Sequence, residues 1–386
     1  MIRHTDALEV RWPGSEVSTL PYLWLRDNCG CDECREVQTT EKKFLIASVP
    51  VDLQPSAVAL IDDQLRLIWP DGHETCYSGS AIRALNDDEV STWTPWSAEF
   101  RPRRTDFQTF LSDNNAAATT IAEFLEHGAA ILDGAPAQPG VLEELTPRLG
   151  PIREVLFDRI HNIELDREGY NVAHTALALL PHNDFASYSW PPSVQALHML
   201  VNEAPGGATI IVDGWNVLAK YREEHPEFFE SLCSMPVSFR MFDEDTETYA
   251  VAPIVRCDTD GNVIALRFSN QLMQPMNPNR SGVAMFYQAY RELCRRLTDS
   301  AAKATFRLQG GEILLVASQR VLHGREAFEP TGRRHVRVTY YELDNVKSSL
   351  FLLQRTMSTD MSKRSLLYGN GVYGTQEDDA LLFAHE

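Results

Sequence analysis

The sequence predicts a mainly β protein with inserted helices, a jelly-roll domain preceded by a small β module. Three observations carry that expectation. Short segments of alternating apolar and polar residues, bounded by turn residues, recur along most of the chain. The helical stretches fall among them without the strand–helix–strand rhythm of a doubly wound sheet. A stretch rich in proline, aromatic residues and arginine, Trp93 to Arg104, has no periodicity and reads as a linker. The expected domains are therefore residues 1–95 and residues 96–386, and a chain of 386 residues is long enough to bury a substantial core.

In the module, Ala7 to Trp12, Phe44 to Ala47 and Leu65 to Trp69 read as strands, the last running into the turn Pro70-Asp71-Gly72. Past the linker, Asp106 to Leu111 and Thr119 to Glu126 have helical spacing, and Gln138 to Leu149 reads as a further helix with Pro139 and Gly140 near its start. From about residue 152 strands dominate, interrupted by helical stretches at 214–233 and 282–298. The second of these sets Val283, Phe286, Tyr287, Tyr290 and Leu293 on one apolar face. The tail from about residue 365 is acidic and is expected to be partly mobile.

Charge narrows the function. There are 54 Asp plus Glu against 35 Lys plus Arg, a formal charge of −19, and a field of that sign repels phosphate backbones and anionic membrane surfaces. No nucleic-acid partner is expected. No apolar run approaches the roughly 18 to 20 residues needed to span a bilayer, and no apolar leader follows Met1, so a soluble, cytoplasmic protein with no membrane partner is expected. Three of the seven cysteines, Cys29, Cys31 and Cys34, are clustered, a spacing that in a cytosolic chain indicates metal rather than a disulfide.

The candidate chemistry begins at Pro181-His182-Asn183-Asp184. Residues two apart on an extended backbone project to one side, so His182 and Asp184 can reach one ion. The pattern alone also fits a turn or a surface pair. His323, at the end of the apolar run that starts near Leu314, offers a third ligand. Two imidazoles and one carboxylate form the facial donor set of non-haem Fe(II) oxygenases, which leaves places for a co-substrate and dioxygen. Eleven residues after His323, Arg334 shares a strand face with Val336, Val338 and Tyr340, which puts a guanidinium on an inward, apolar face where it needs a carboxylate partner. A structural ion pair with an acidic side chain would answer that need, but so soon after a candidate iron histidine a bound dicarboxylate is the better reading, and Thr209 could add a hydroxyl to the same carboxylate.

Taken in order, His182-x-Asp184, Pro191-Pro192-Ser193-Val194-Gln195-Ala196-Leu197-His198, Gly206-Gly207-Ala208-Thr209, Leu322-His323-Gly324-Arg325 and Arg334-His335 resemble the γ-butyrobetaine dioxygenase branch of the taurine dioxygenase-like family. Its members are Fe(II)- and 2-oxoglutarate-dependent oxygenases on a double-stranded β-helix. The resemblance extends to Leu23-Trp24-Leu25-Arg26-Asp27-Asn28-Cys29 and Trp69-Pro70-Asp71-Gly72-His73, which look like the zinc module of that branch. It implies structural zinc on Cys29, Cys31, Cys34 and His73, with Cys76 as the rival fourth ligand. It implies iron on His182, Asp184 and His323. It further implies 2-oxoglutarate with its far carboxylate on Arg334 and Thr209, O2 as second co-substrate, succinate and CO2 as by-products, and a homodimer.

For the substrate, the positions matching the branch's aromatic cage are Phe157, His161, His174 and Tyr340, and Asn171 and Asn270 match or fall near amides of the pocket. Two of the four cage positions are imidazoles, a poorer cation–π surface than indole or phenol. The expected substrate is a small zwitterion or anion: a γ-butyrobetaine-like betaine, or a related aminophosphonate or amino acid. Two other classes fit parts of the pattern: a metabolite-sensing jelly roll without catalysis, and a zinc hydrolase whose triad activates water. His198 reads as a core or supporting residue on a strand.

Overall fold

Alternation of apolar residues organises the first eighty residues into two small antiparallel sheets. A computed structural model of the chain describes residues 1–12, 17–39, 41–84, 93–156, 158–165, 172–243 and 245–357. The first sheet joins β1 (Ile2–Arg3), β2 (Ala7–Arg11) and β3 (Val17–Pro21), and the second joins β4 (Ala57–Ile61), β5 (Gln64–Ile68) and β6 (Glu74–Ser78). Their inner faces contribute Leu8, Val10, Leu20, Leu65, Leu67 and Tyr77 to one core with Trp12, Tyr22, Leu25 and Trp69. Phe44 to Ala47 is not a strand. Leu45 is exposed, so the segment has no apolar inner face; Ile46–Ser48 forms a single 3-10 turn, and the Phe44 ring lies under the Arg26 guanidinium at 3.8 Å.

The chain forms two compact units, the first built on residues 1–91 and the second on residues 92–354. Trp93 to Arg104, expected as a linker, belongs to the second. Trp96 is buried, stacks on Phe100 and donates from its indole nitrogen to the His127 carbonyl.

In chain order the strands of the second unit are β7 (Arg103–Asp106), β8 (Ala129–Asp133), β9 (His161–Glu164), β10 (Leu179–His182), β11 (Val194–Asn202), β12 (Thr209–Asp213), β13 (Val237–Phe242), β14 (Glu247–Ala252), β15 (Val255–Cys257), β16 (Val263–Leu266), β17 (Lys303–Phe306), β18 (Glu312–Ala317), β19 (Val321–Arg325) and β20 (Arg334–Tyr341). Six of them form one sheet in the order β7-β8-β18-β11-β20-β9, and four form another in the order β10-β19-β12-β17. Only the β7–β8 pair is parallel in these two sheets. The sheets face each other across a shared core of Met199, Leu314, Val316, Val336 and Val338 from one and Ile211, Ala304 and Val321 from the other, a jelly-roll arrangement. Each strand therefore presents alternate residues to the space between the sheets, where the candidate site lies.

Helices cover the outer faces. The stretch expected as one helix at 214–233 is two, Gly214–Glu224 and Pro226–Ser234. Pro226 excludes the helical backbone region for the residue before it, and His225 takes φ −139° and ψ 65°. The expected helix at 138–149 is a 3-10 turn, Val141–Leu145, and a short helix, Thr146–Leu149, because Gly140 enters with φ 97° and Pro147 lacks a donor inside the run. Val283–Leu297 is helical as expected, with Phe286, Ala289, Tyr290, Leu293 and Leu297 buried, whereas Tyr287 is 45% exposed. This helix packs with Gly214–Glu224 and Pro226–Ser234 against Ile210, Val212 and Leu322 of the four-stranded sheet. Among the described residues no helix is long and apolar enough to cross a membrane. The acidic tail lies outside them.

Candidate active site

The site is built from neighbouring strands of the smaller sheet. His182 ends β10 and pairs across the sheet with His323 of β19, setting the two imidazoles 4.5 Å apart. Close approach of the strands depends on Gly324, where a Cβ would stand 2.6 Å from the Leu179 carbonyl oxygen and 3.1 Å from the Pro181 nitrogen. The strand stops at His182. Asn183 turns the other way, accepting at its amide oxygen from the Phe268 N–H and donating to the Ser318 carbonyl, and Asp184 swings back at the start of a turn. The two residues thus meet through a strand end and a turn rather than along a continuous strand.

Asp184 Oδ1 lies 3.2 Å from His182 Nε2 and 3.8 Å from His323 Nε2, and one ligand atom from each of the three residues lies within 4.8 Å of the others. The Leu180 carbonyl accepts from His182 Nδ1 at 2.9 Å, which leaves the Nε2 lone pair facing inward. Burial lowers the pKa of His323 to about 4, so its ring is neutral. Burial works against charge on Asp184, but the two imidazoles and the Tyr340 hydroxyl hold its carboxyl well below the usual range. Burial works against charge on His182 as well, but Asp184 raises its pKa overall. Two imidazole nitrogens and one half-buried carboxylate, closely spaced, match a first-row transition metal such as iron.

A cavity of about 460 Å³ opens over these groups and runs between the sheets. Arg334, on the inner face of β20, lines it, as does Thr209 of β12. The Arg334 guanidinium lies 5.5 Å over the Phe328 ring; burial, together with the charges of Arg325 and Arg307, lowers its pKa to about 10. No carboxylate of the described residues pairs with it, and its Nε has no hydrogen-bond partner. A buried, uncompensated guanidinium is costly unless an anion arrives to meet it.

Tyr340 and His161 stack with ring centroids 5.8 Å apart on the cavity wall, and Phe185 meets Tyr340 edge-on at 5.2 Å. Burial depresses the pKa of His161, so that ring too is neutral. His174 lines the cavity with its Nδ1 at 3.1 Å from the Glu164 carbonyl oxygen. Asn270 is not brought in. It is exposed, and its amide oxygen accepts from the Tyr290 hydroxyl at 3.3 Å; Ser269 and Gln271 on either side of it line the cavity instead. Phe157 and Asn171 lie outside the described residues.

Several residues of the site escaped the reading from sequence. Gln195 donates to Asp184 Oδ2, and Arg325 donates to the carbonyls of Ala173, Thr175 and Leu177, holding the segment that carries His174. For Gln195 the signal is a polar amide inside the apolar run of β11; for Arg325 it is a second arginine two residues after His323.

In the first unit, His73 Nε2 stands 3.3 Å from Cys29 Sγ, 3.6 Å from Cys31 Sγ and 3.5 Å from Cys34 Sγ. Glu33 meets His73 Nδ1 at 3.2 Å and orients the ring, and Arg26 donates to Cys34 Sγ. Cys76 is exposed and donates to Gln64, apart from this group. Three sulfurs and one imidazole nitrogen, with no fifth donor grouped with them among the described residues, fit a closed tetrahedral zinc site.

The taurine catabolism dioxygenase TauD, TfdA family matches residues 89–340, and the γ-butyrobetaine hydroxylase-like N-terminal family matches residues 1–83. The chain belongs to the TauD, TfdA dioxygenase family. It is 34% identical over 363 residues to a γ-butyrobetaine dioxygenase of Pseudomonas sp. (strain AK-1), covering 91% of this chain and 94% of that one. It is 28% identical to the mitochondrial trimethyllysine dioxygenase of Bos taurus, over 91% of this chain and 86% of that one. The γ-butyrobetaine dioxygenase of Homo sapiens is 27% identical, over 90% and 94%. As a member of the TauD, TfdA family the chain is an Fe(II)/2-oxoglutarate-dependent dioxygenase.

Proposed function

We propose that this dioxygenase hydroxylates a C–H bond of a small zwitterionic, betaine-like metabolite, with Fe(II) held by His182, Asp184 and His323 and the far carboxylate of 2-oxoglutarate on Arg334 and Thr209. One observation carries the reading: a cluster of two imidazoles and a carboxylate shares a single cavity with a half-buried arginine that has no acid partner among the described residues. A zinc hydrolase gives that arginine no task, and a metabolite sensor freed from catalysis has no need of His182, Asp184, His323 and Arg334 together.

Iron and 2-oxoglutarate supply the oxidation, in which O2, the keto acid and a substrate C–H become CO2, succinate and C–OH. The chain's own residues position and shield. The Leu180 carbonyl keeps the proton of His182 on Nδ1. Arg334, walled by Phe328, offers two parallel N–H donors to a carboxylate, and in a buried setting that charge-assisted pair is strong. Gly207 has φ 65°, and a Cβ there would stand 3.2 Å from Phe328 Cβ and 3.6 Å from Arg334 Nε, so the chain passes close beside the arginine.

The substrate's cationic end lies against the Tyr340 and Phe185 rings, with His161 and His174 as imidazole walls; Phe157 belongs to this group by its sequence position. Asn171, likewise by sequence, with Ser269 and Gln271, serves the anionic end. Relatives named for γ-butyrobetaine and trimethyllysine support the betaine-like class. Cys29, Cys31, Cys34 and His73 hold structural zinc, which stabilises the fold of the first unit. A cytoplasmic homodimer completes the proposal, on the family resemblance.

The test is turnover. Succinate release from 2-oxoglutarate is measured with γ-butyrobetaine, trimethyllysine and their amine, amino acid and phosphonate counterparts. One zwitterion is expected to stimulate succinate release and to gain the mass of one oxygen atom. If none does so in protein loaded with Fe(II) and 2-oxoglutarate, the substrate assignment fails.

A further inference from the structure

Gln195 and Tyr340 face each other across the β11–β20 pair, and both side chains are 1% exposed. Both donate to the same atom: Gln195 Nε2 lies 2.5 Å and Tyr340 Oη 2.6 Å from Asp184 Oδ2. The other oxygen, Oδ1, is the one that faces His182 and His323. A carboxylate oxygen has two lone-pair directions, so two donors use up Oδ2.

We infer that Gln195 and Tyr340 form a clamp that keeps Asp184 a one-oxygen ligand. The inference rests on the iron site proposed above. Three protein ligands of one atom each leave three of six places at an octahedral ion, enough for two oxygens of 2-oxoglutarate and one for dioxygen. A carboxylate gripping through both oxygens would take the place dioxygen needs.

A second observation favours this task over packing. Among the described residues the Gln195 amide oxygen is buried without a hydrogen-bond partner; its apolar neighbours on β11 are Val194, Ala196, Leu197, Met199, Leu200 and Val201, and the strand's other polar members are His198 and Asn202. Leaving such an oxygen unsatisfied costs stability that a methionine of the same length would not. The amide is kept for its N–H groups, which donate to Asp184 Oδ2 and also meet the Tyr340 hydroxyl. Gln195 and Tyr340 are thus positioning residues acting through Asp184.

The variants are Gln195→Met and Tyr340→Phe, each of which keeps its bulk and loses one donor. Protein is loaded with Fe(II) and 2-oxoglutarate without oxygen and titrated with nitric oxide, a dioxygen surrogate, following the electron spin resonance signal of the iron–nitrosyl centre. Both variants should keep iron stoichiometry and the charge-transfer band of chelated 2-oxoglutarate. Each should bind nitric oxide about ten-fold more weakly or worse, the worth of one hydrogen bond to a charged group, with an altered line shape.

Unchanged nitric oxide affinity and line shape in both variants would overturn the clamp. Loss of iron from a folded variant would also overturn it, since the amide would then serve to place Asp184 at all rather than to limit it to one oxygen. Absence of the charge-transfer band in the unsubstituted protein would instead remove the iron site on which the clamp depends. If Gln195→Met does not fold, Tyr340→Phe carries the same test alone.

Discussion

The half-buried Arg334 guanidinium lies 5.5 Å above the Phe328 ring, where no described carboxylate pairs with it. In the free protein this charge is a liability, and a dicarboxylate converts it into an asset. Arg334→Met should therefore weaken 2-oxoglutarate binding about 100-fold, the worth of a charge-assisted pair, while leaving the melting temperature of the apo-protein unchanged or raised. Anaerobic titration and thermal melts of the same samples check both halves. A loss of apo stability with unchanged 2-oxoglutarate affinity would mark the arginine as structural.

Gly324 tests how the two histidines are brought together. A Cβ there meets backbone on the opposite strand at 2.6 Å and 3.1 Å, and backbone cannot swing aside as a side-chain tip can. Gly324→Ala should separate β10 from β19, cost about 2 kcal/mol or more, and weaken Fe(II) binding although no ligand is altered. Denaturant melts with Fe(II) titration read both effects.

For the first unit, Cys31→Ser or His73→Ala removes one member of the four-residue cluster proposed to hold zinc. Metal analysis should show about one equivalent of zinc lost per chain, and limited proteolysis should open residues 1–91 while Fe(II) binding by the second unit persists. Retention of zinc in both variants would refute the ligand set.

His198 gives a pH prediction away from either metal cluster. It is 0% exposed on β11, neither ring nitrogen has a hydrogen-bond partner among the described residues, and burial, then the nearby charges of Arg337 and His335, lower its pKa to about 4. The unfolded imidazole takes up a proton near pH 6.5, so between about pH 6.5 and 4 the unfolded chain binds more protons than the folded one. Its neutral burial is fully tolerated above that window, and stability falls as pH drops through it. His198→Leu should flatten the dependence of unfolding free energy on pH there by up to about 1.4 kcal/mol per pH unit. An unchanged slope would show that the ring does not stay neutral in the fold.

Much of the site was legible because its chemistry demands rare residue placements. His182, Asp184 and His323 follow a metal pattern, and Arg334 announces itself as a charge on an apolar strand face. Asn270 misled because its neighbours, not it, face the cavity: a turn, unlike a strand, gives no alternation from which to read direction. Gln195 and Arg325 were missed because their partners, Asp184 and the carbonyls of Ala173, Thr175 and Leu177, are defined only once strands distant in sequence have paired. The helix break at His225 was written in Pro226, but a continuous apolar face on both sides concealed it.

The most direct test of the central claim is anaerobic titration of the protein with Fe(II) and then 2-oxoglutarate, watching for the weak visible charge-transfer band of the chelated keto acid. The band should appear at one equivalent of iron, be absent in His182→Ala, and require far more 2-oxoglutarate in Arg334→Met. Protein that binds Fe(II) yet shows no band at any 2-oxoglutarate concentration would contradict the assignment of this cavity as the oxygenase site.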